Sequence, residues 1–154
     1  MTGQKYTMLA PGGGEQLRFL DDSLLVLKDD GERSGTGITT YEYIAAPSAK
    51  GSPQHIHRGH DETFYVVEGR FEFTLGTRAF VAEPGSFLLV QRGQPHGFRN
   101  MGASKGRIVG TFGSRFAQYF RELAQIIERT GTVPSRGDWD ALYGRYETTF
   151  YEPS

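Results

Sequence analysis

Short runs of alternating apolar and polar residues, broken by Gly and Pro, fill the chain as far as residue 112. A strand turns successive side chains to opposite faces, so this alternation predicts half-buried strands and not helices. Strands are expected at 16–19, 24–28, 38–45, 54–57, 63–68, 70–75, 77–82, 86–90, 96–99 and 107–112. Many of the 21 glycines fall in the turns between them, giving an all-β unit of many short strands. After Phe112 the period changes. Ser114 is placed to cap a helix whose stripe is Phe116, Phe120, Leu123, Ala124 and Ile127, with Arg115, Arg121, Glu122 and Glu128 outside it and Gly131 and Pro134 ending it. A second, shorter helix starts near 135–138 and sets Trp139, Leu142, Tyr143 and Tyr146 at i, i+3, i+4 and i+7. The expected organisation is one domain, with a β unit at 1–113 and a helical extension at 114–154 packed on it. Packing against an outer sheet is the simpler expectation, and a lid over the mouth of the β unit is the alternative.

Composition narrows the function classes. A chain of 154 residues is long enough for one core burying roughly two-thirds of its unfolded surface. A net charge of −1 and the lack of a helix-turn-helix pattern argue against nucleic-acid binding, which needs a basic face. With no cysteine, neither disulfides nor a thiolate metal site are possible. There is no apolar run of about eighteen residues and no leader-like start, so a cytoplasmic protein without membrane contact is expected. The clusters at Gly12–Gly14 and Gly35–Gly37 lack the context of phosphate loops and read as turns.

The chemistry concentrates in four residues. His55 and His57 stand two apart on a predicted strand, so both imidazoles face one side. Glu62 opens the β-prone run at 63–67, and His96 opens a strand after the Gly/Pro turn at 93–95. Three imidazoles and a carboxylate suit one divalent iron, nickel, manganese, cobalt, copper or zinc ion, and they leave positions open on a six-coordinate ion. If Glu62 points inward, Phe64 and Val66 follow it, and His96 brings Phe98. Phe64 and Phe98, and Phe73, whose face on its own strand the sequence leaves open, are candidate walls of an apolar substrate pocket, the alternative being plain core. His60 reads as a solvated loop side chain, with a substrate contact or substitute ligand as its alternative.

At these residues the chain resembles the cupin superfamily. Gly51, His55, His57, Glu62 and Gly69 fill every position of that family's first motif. Gly85, Gly93, His96 and Asn100 fit the second, where Gln91 stands in place of a proline, and only residues 70–84 separate the two. The resemblance covers roughly 36–112 and implies a double-stranded β-helix, a jelly-roll barrel of antiparallel strands, with the four residues as metal ligands. The helical tail looks like that of bacterial single-domain cupins similar to quercetinase-type dioxygenases. This likeness implies a dioxygenase acting on a small aromatic or enolisable substrate, with Glu62 as ligand and catalytic base. The alternatives are a metal-dependent isomerase, cyclase or lyase and a non-catalytic small-molecule binder. Cupins commonly pair through their sheets, so a homodimer is expected, and the apolar run 24–27 is a candidate pairing edge.

Overall fold

The computed structural model describes residues 5–153; residues 1–4, on which part of the leader reading rests, lie outside them. Its strands are β1 (Glu15–Arg18), β2 (Leu24–Asp29), β3 (Ile38–Ala45), β4 (Ser52–His57), β5 (Glu62–Glu68), β6 (Phe71–Leu75), β7 (Arg78–Ala82), β8 (Phe87–Val90), β9 (His96–Asn100) and β10 (Gly106–Gly113). Helices α1 (Arg115–Thr130) and α2 (Arg136–Arg145) follow, and a last strand, β11 (Thr148–Phe150), comes after them. Two antiparallel sheets, ordered β1-β2-β3-β10-β5-β8 and β11-β4-β9-β6-β7, face each other as a jelly-roll barrel. Among the described residues no helix is long and apolar enough to cross a membrane.

Alternation along the strands builds the interior. On β3 Thr39, Tyr41, Tyr43 and Ala45 point inward, and on β5 Glu62, Phe64 and Val66 do so. Gly110 on β10 makes room for one of them, since a Cβ there would stand 2.6 Å from the Tyr41 hydroxyl oxygen. The run 24–27 is not a free edge. Strand β1 pairs with it from Glu15↔Leu27 to Arg18↔Leu24, and Leu25, Val26 and Leu27 are buried.

The tail departs from expectation in three ways. Ser114 already has helical dihedrals and makes no side-chain cap, so α1 starts directly from the end of β10. Gly131 behaves as expected, left-handed with its N–H on Ile127 O, and Ser135 caps α2 by accepting from Asp138 N at 3.2 Å. Secondly, the helices lean over the barrel mouth and not onto an outer sheet, with Phe116, Tyr119 and Leu123 of α1 and Tyr143 of α2 buried there. Arg121 anchors α1 from its other side, donating to Glu15 at 2.7 and 2.9 Å and to Asp30 at 3.0 Å. Thirdly, β11 rejoins the barrel by pairing with β4, setting Thr148 opposite His57 and Phe150 opposite His55.

Candidate metal centre

Strand parity and register bring the four expected residues together. His55 and His57 alternate with Ile56 on β4, His55 lies opposite His96 across β4 and β9, and Glu62 is the first residue of β5. All four are buried. His55 Nε2 stands 3.0 Å from His57 Nε2, His96 Nε2 3.0 Å from Glu62 Oε2, and His57 Nε2 3.4 Å from the same oxygen. One ligand atom from each residue lies within 4.8 Å of the others, so the group can hold one metal ion. Atoms bound at ~2.1 Å to a single ion stand about 3 Å apart when at right angles, close to the spacing of these three pairs.

The far ring nitrogens support this fit. His55 Nδ1 faces Pro53 O at 2.8 Å, His96 Nδ1 faces Gln94 O at 3.0 Å, and His57 Nδ1 faces Thr148 Oγ1 at 2.8 Å. Carbonyls only accept, so His55 and His96 carry a proton on Nδ1. When neutral, rings in that tautomer direct Nε2 lone pairs into a common space, where a cation would relieve their mutual repulsion. Burial, reinforced by the neighbouring His57 and His96, pushes His55 down to about 3 and keeps it neutral. Burial alone would raise the Glu62 carboxyl. The neighbouring His57 and His96 rings outweigh it and hold Glu62 well below the usual carboxylate range. His96 is lowered by burial but raised more by Glu62, and it ends above its ordinary value.

A cavity of about 490 Å³ opens onto the His55, His57 and Glu62 side of this group, with aromatic walls that include Tyr41, Phe98, Phe116, Tyr119, Trp139 and Tyr143. Among the described residues its wall holds one lysine or arginine, the exposed Lys50. Of the expected pocket residues Phe98 reaches the wall. Phe64 and Phe73 do not, because they pack behind it, 5.6 Å from the Phe98 ring and 5.1 Å from each other. His60 is neither a wall residue nor a free loop side chain. Its ring lies 4.4 Å from His57 at 28° and 4.9 Å from Phe116, its Nε2 is buried without a partner, and burial pushes it down to about 4.

Sequence reasoning missed Tyr41, Tyr119 and Thr148. Tyr41 follows from the parity of β3, and its hydroxyl stands 3.5 Å from Glu62 Oε1. Tyr119 lies one turn from Phe116 and stacks on it at 4.4 Å. Thr148 opens the β-prone run Thr148-Thr149-Phe150, the one local signal for its strand. The turn where Gln91 replaces proline is held regardless, by Gln94 N to Gln91 O at 3.1 Å and Gly93 N to His57 O at 2.7 Å.

Comparison with known proteins bears on the fold. The family model described as Cupin domain matches residues 41–112. No curated protein matches the sequence significantly. Among solved structures, KdgF from Halomonas sp. is similar over 71% of this chain and 94% of its own, at 16% identity and a TM-score of 0.61. A predicted oxalate decarboxylase from Thermotoga maritima is similar over 70% and 98%, at 13% identity and 0.63. The polyketide cyclase RemF from Streptomyces resistomycificus is similar over 71% and 80%, at 19% identity and 0.61.

Proposed function

Residues 41–112 being a cupin domain, we propose that this chain is a metal-dependent enzyme, a dioxygenase acting on a small aromatic or enolisable substrate. One observation carries the reading: three imidazoles converge through Nε2 on a buried carboxylate at the end of an aromatic cavity. His55, His57, Glu62 and His96 would hold one divalent transition ion. That ion would supply Lewis acidity and open positions for an oxygen-bearing substrate.

The chain's own groups do the rest. The rings of Phe98, Phe116 and Tyr119 offer faces for a flat substrate and exclude water. With Lys50 alone as a cationic wall residue, and that one exposed, a neutral or weakly acidic substrate fits better than a multiply charged one. Glu62, whose carboxylate lines the cavity, would be the base that takes the proton of a substrate hydroxyl. Burial and the Glu62 charge hold the Tyr41 phenol well above its ordinary value, so it stays protonated beside Glu62 Oε1.

Oxygen uptake tests this reading. Protein loaded in turn with iron, nickel, cobalt, manganese or copper is given a panel of flavonols and other enolisable aromatics. Uptake with at least one metal, lost in Glu62→Gln, is expected. The Tyr41–Glu62 pair favours a second reading, a metal-dependent isomerase, cyclase or lyase, because a neutral phenol beside a carboxylate serves proton transfer without any oxidant. Turnover under nitrogen with no oxygen uptake would decide for it.

A further inference from the structure

The three metal-facing imidazoles are tied down by different kinds of partner. His55 and His96 each use a carbonyl two residues back in their own segment, with the locally placed Ser52 Oγ also 3.1 Å from His55 Nδ1. His57 instead reaches Thr148, 91 residues away on β11, with Nδ1 2.8 Å from Oγ1. Thr148 is 1% exposed, and its hydroxyl donates to Tyr146 O at 3.0 Å, which leaves its lone pairs for the His57 N–H.

We infer that Thr148 is the positioning residue of His57: by accepting from Nδ1–H it keeps Nε2 free of a proton, so that metal affinity depends on the docked C-terminal strand. The alternative site for that proton is Nε2, which has an acceptor of its own in Glu62 Oε2 at 3.4 Å. A His57 that lost Thr148 would turn its proton inward, donate to Glu62, and close one ligand position. The tail grips the same ring a second time, since Phe116 of α1 meets His57 edge-on at 4.4 Å. By linkage, an ion bound at the site tightens the docking of β11 in return.

The inference rests on the metal-binding part of the proposed function, and the test separates the two. Thr148→Val keeps the shape of the side chain and removes the hydroxyl, whereas Thr148→Ser keeps the hydroxyl. Imidazole nitrogen NMR of the metal-free proteins reads the tautomers, and chelator competition reads the affinity for zinc. Expected are His57 protonated on Nδ1 in wild type and on Nε2 in the valine variant, zinc binding about 10- to 100-fold weaker in that variant, and recovery in the serine variant. His55 and His96 are the internal control, and a shift at all three rings would overturn a role specific to His57. Wild-type tautomer and affinity in Thr148→Val would overturn it as well. If wild type binds no zinc, the metal reading falls and the affinity claim with it, while the His57 tautomer still decides the hydrogen bond.

Discussion

Residues of one type have different roles here according to what stands behind them. Phe73 is 2% exposed and touches only other rings and strands, so Phe73→Ala should lose roughly 3–5 kcal/mol in denaturant unfolding and leave the metal site intact. Phe98 faces the cavity, and Phe98→Ala should instead enlarge the substrate space and shift substrate preference. Period two announced that Phe98 follows His96 inward, but it could not rank the phenylalanines by depth. Depth depends on which strands cover them, a tertiary fact. His60 shows the same limit. Its sequence setting is a polar loop, yet it packs on His57, so His60→Ala should lower the melting temperature while zinc stoichiometry stays unchanged.

Most strands were legible because seven-residue runs such as Glu62–Glu68 carry several alternations, and the helices because their stripes repeat over two turns or more. Strand β11 has three residues, too few for a period, and its partner β4 lies about ninety residues earlier. Where the helices dock was also not local information. Their position is fixed partly by Arg121, held between Glu15 of β1 and Asp30 beyond β2. The Arg121 hydrogen bond holds the Glu15 carboxyl below its ordinary 4.5. Burial raises Asp30, but hydrogen bonds from Arg33 and Arg121 bring it below 3.8. A depressed carboxyl pKa contributes stability that is full above the unfolded value and fades as pH falls through the folded one. The latch should therefore hold at neutral pH and weaken below about pH 4. Arg121→Met should remove that step from the acid-unfolding curve, as tryptophan fluorescence from Trp139 at the cavity wall can follow.

At the scale of the molecule, the β-barrel contributes the four residues that can hold a metal ion and the C-terminal extension supplies both the aromatic roof and the Thr148 contact. The grouping of His55, His57, Glu62 and His96 was readable because it is carried by strand parity and fixed spacing. The roof was not, since it comes from helices whose docking the stripe leaves open. Removing everything after Phe112 should thus expose apolar barrel surface and weaken metal binding together, each uncovered Phe or Leu losing roughly 1.5–3 kcal/mol. A divalent ion that binds only the folded chain should raise the melting temperature, by the equivalent of about 2.7 kcal/mol at a hundred times its dissociation constant. The most direct test of the whole account is elemental analysis of protein purified without chelating resin. About one transition-metal ion per chain in wild type, and a sharp loss in both His57→Ala and His96→Ala, is the result the geometry predicts. A metal-free wild type under metal-replete expression, or full occupancy in His57→Ala, would contradict it.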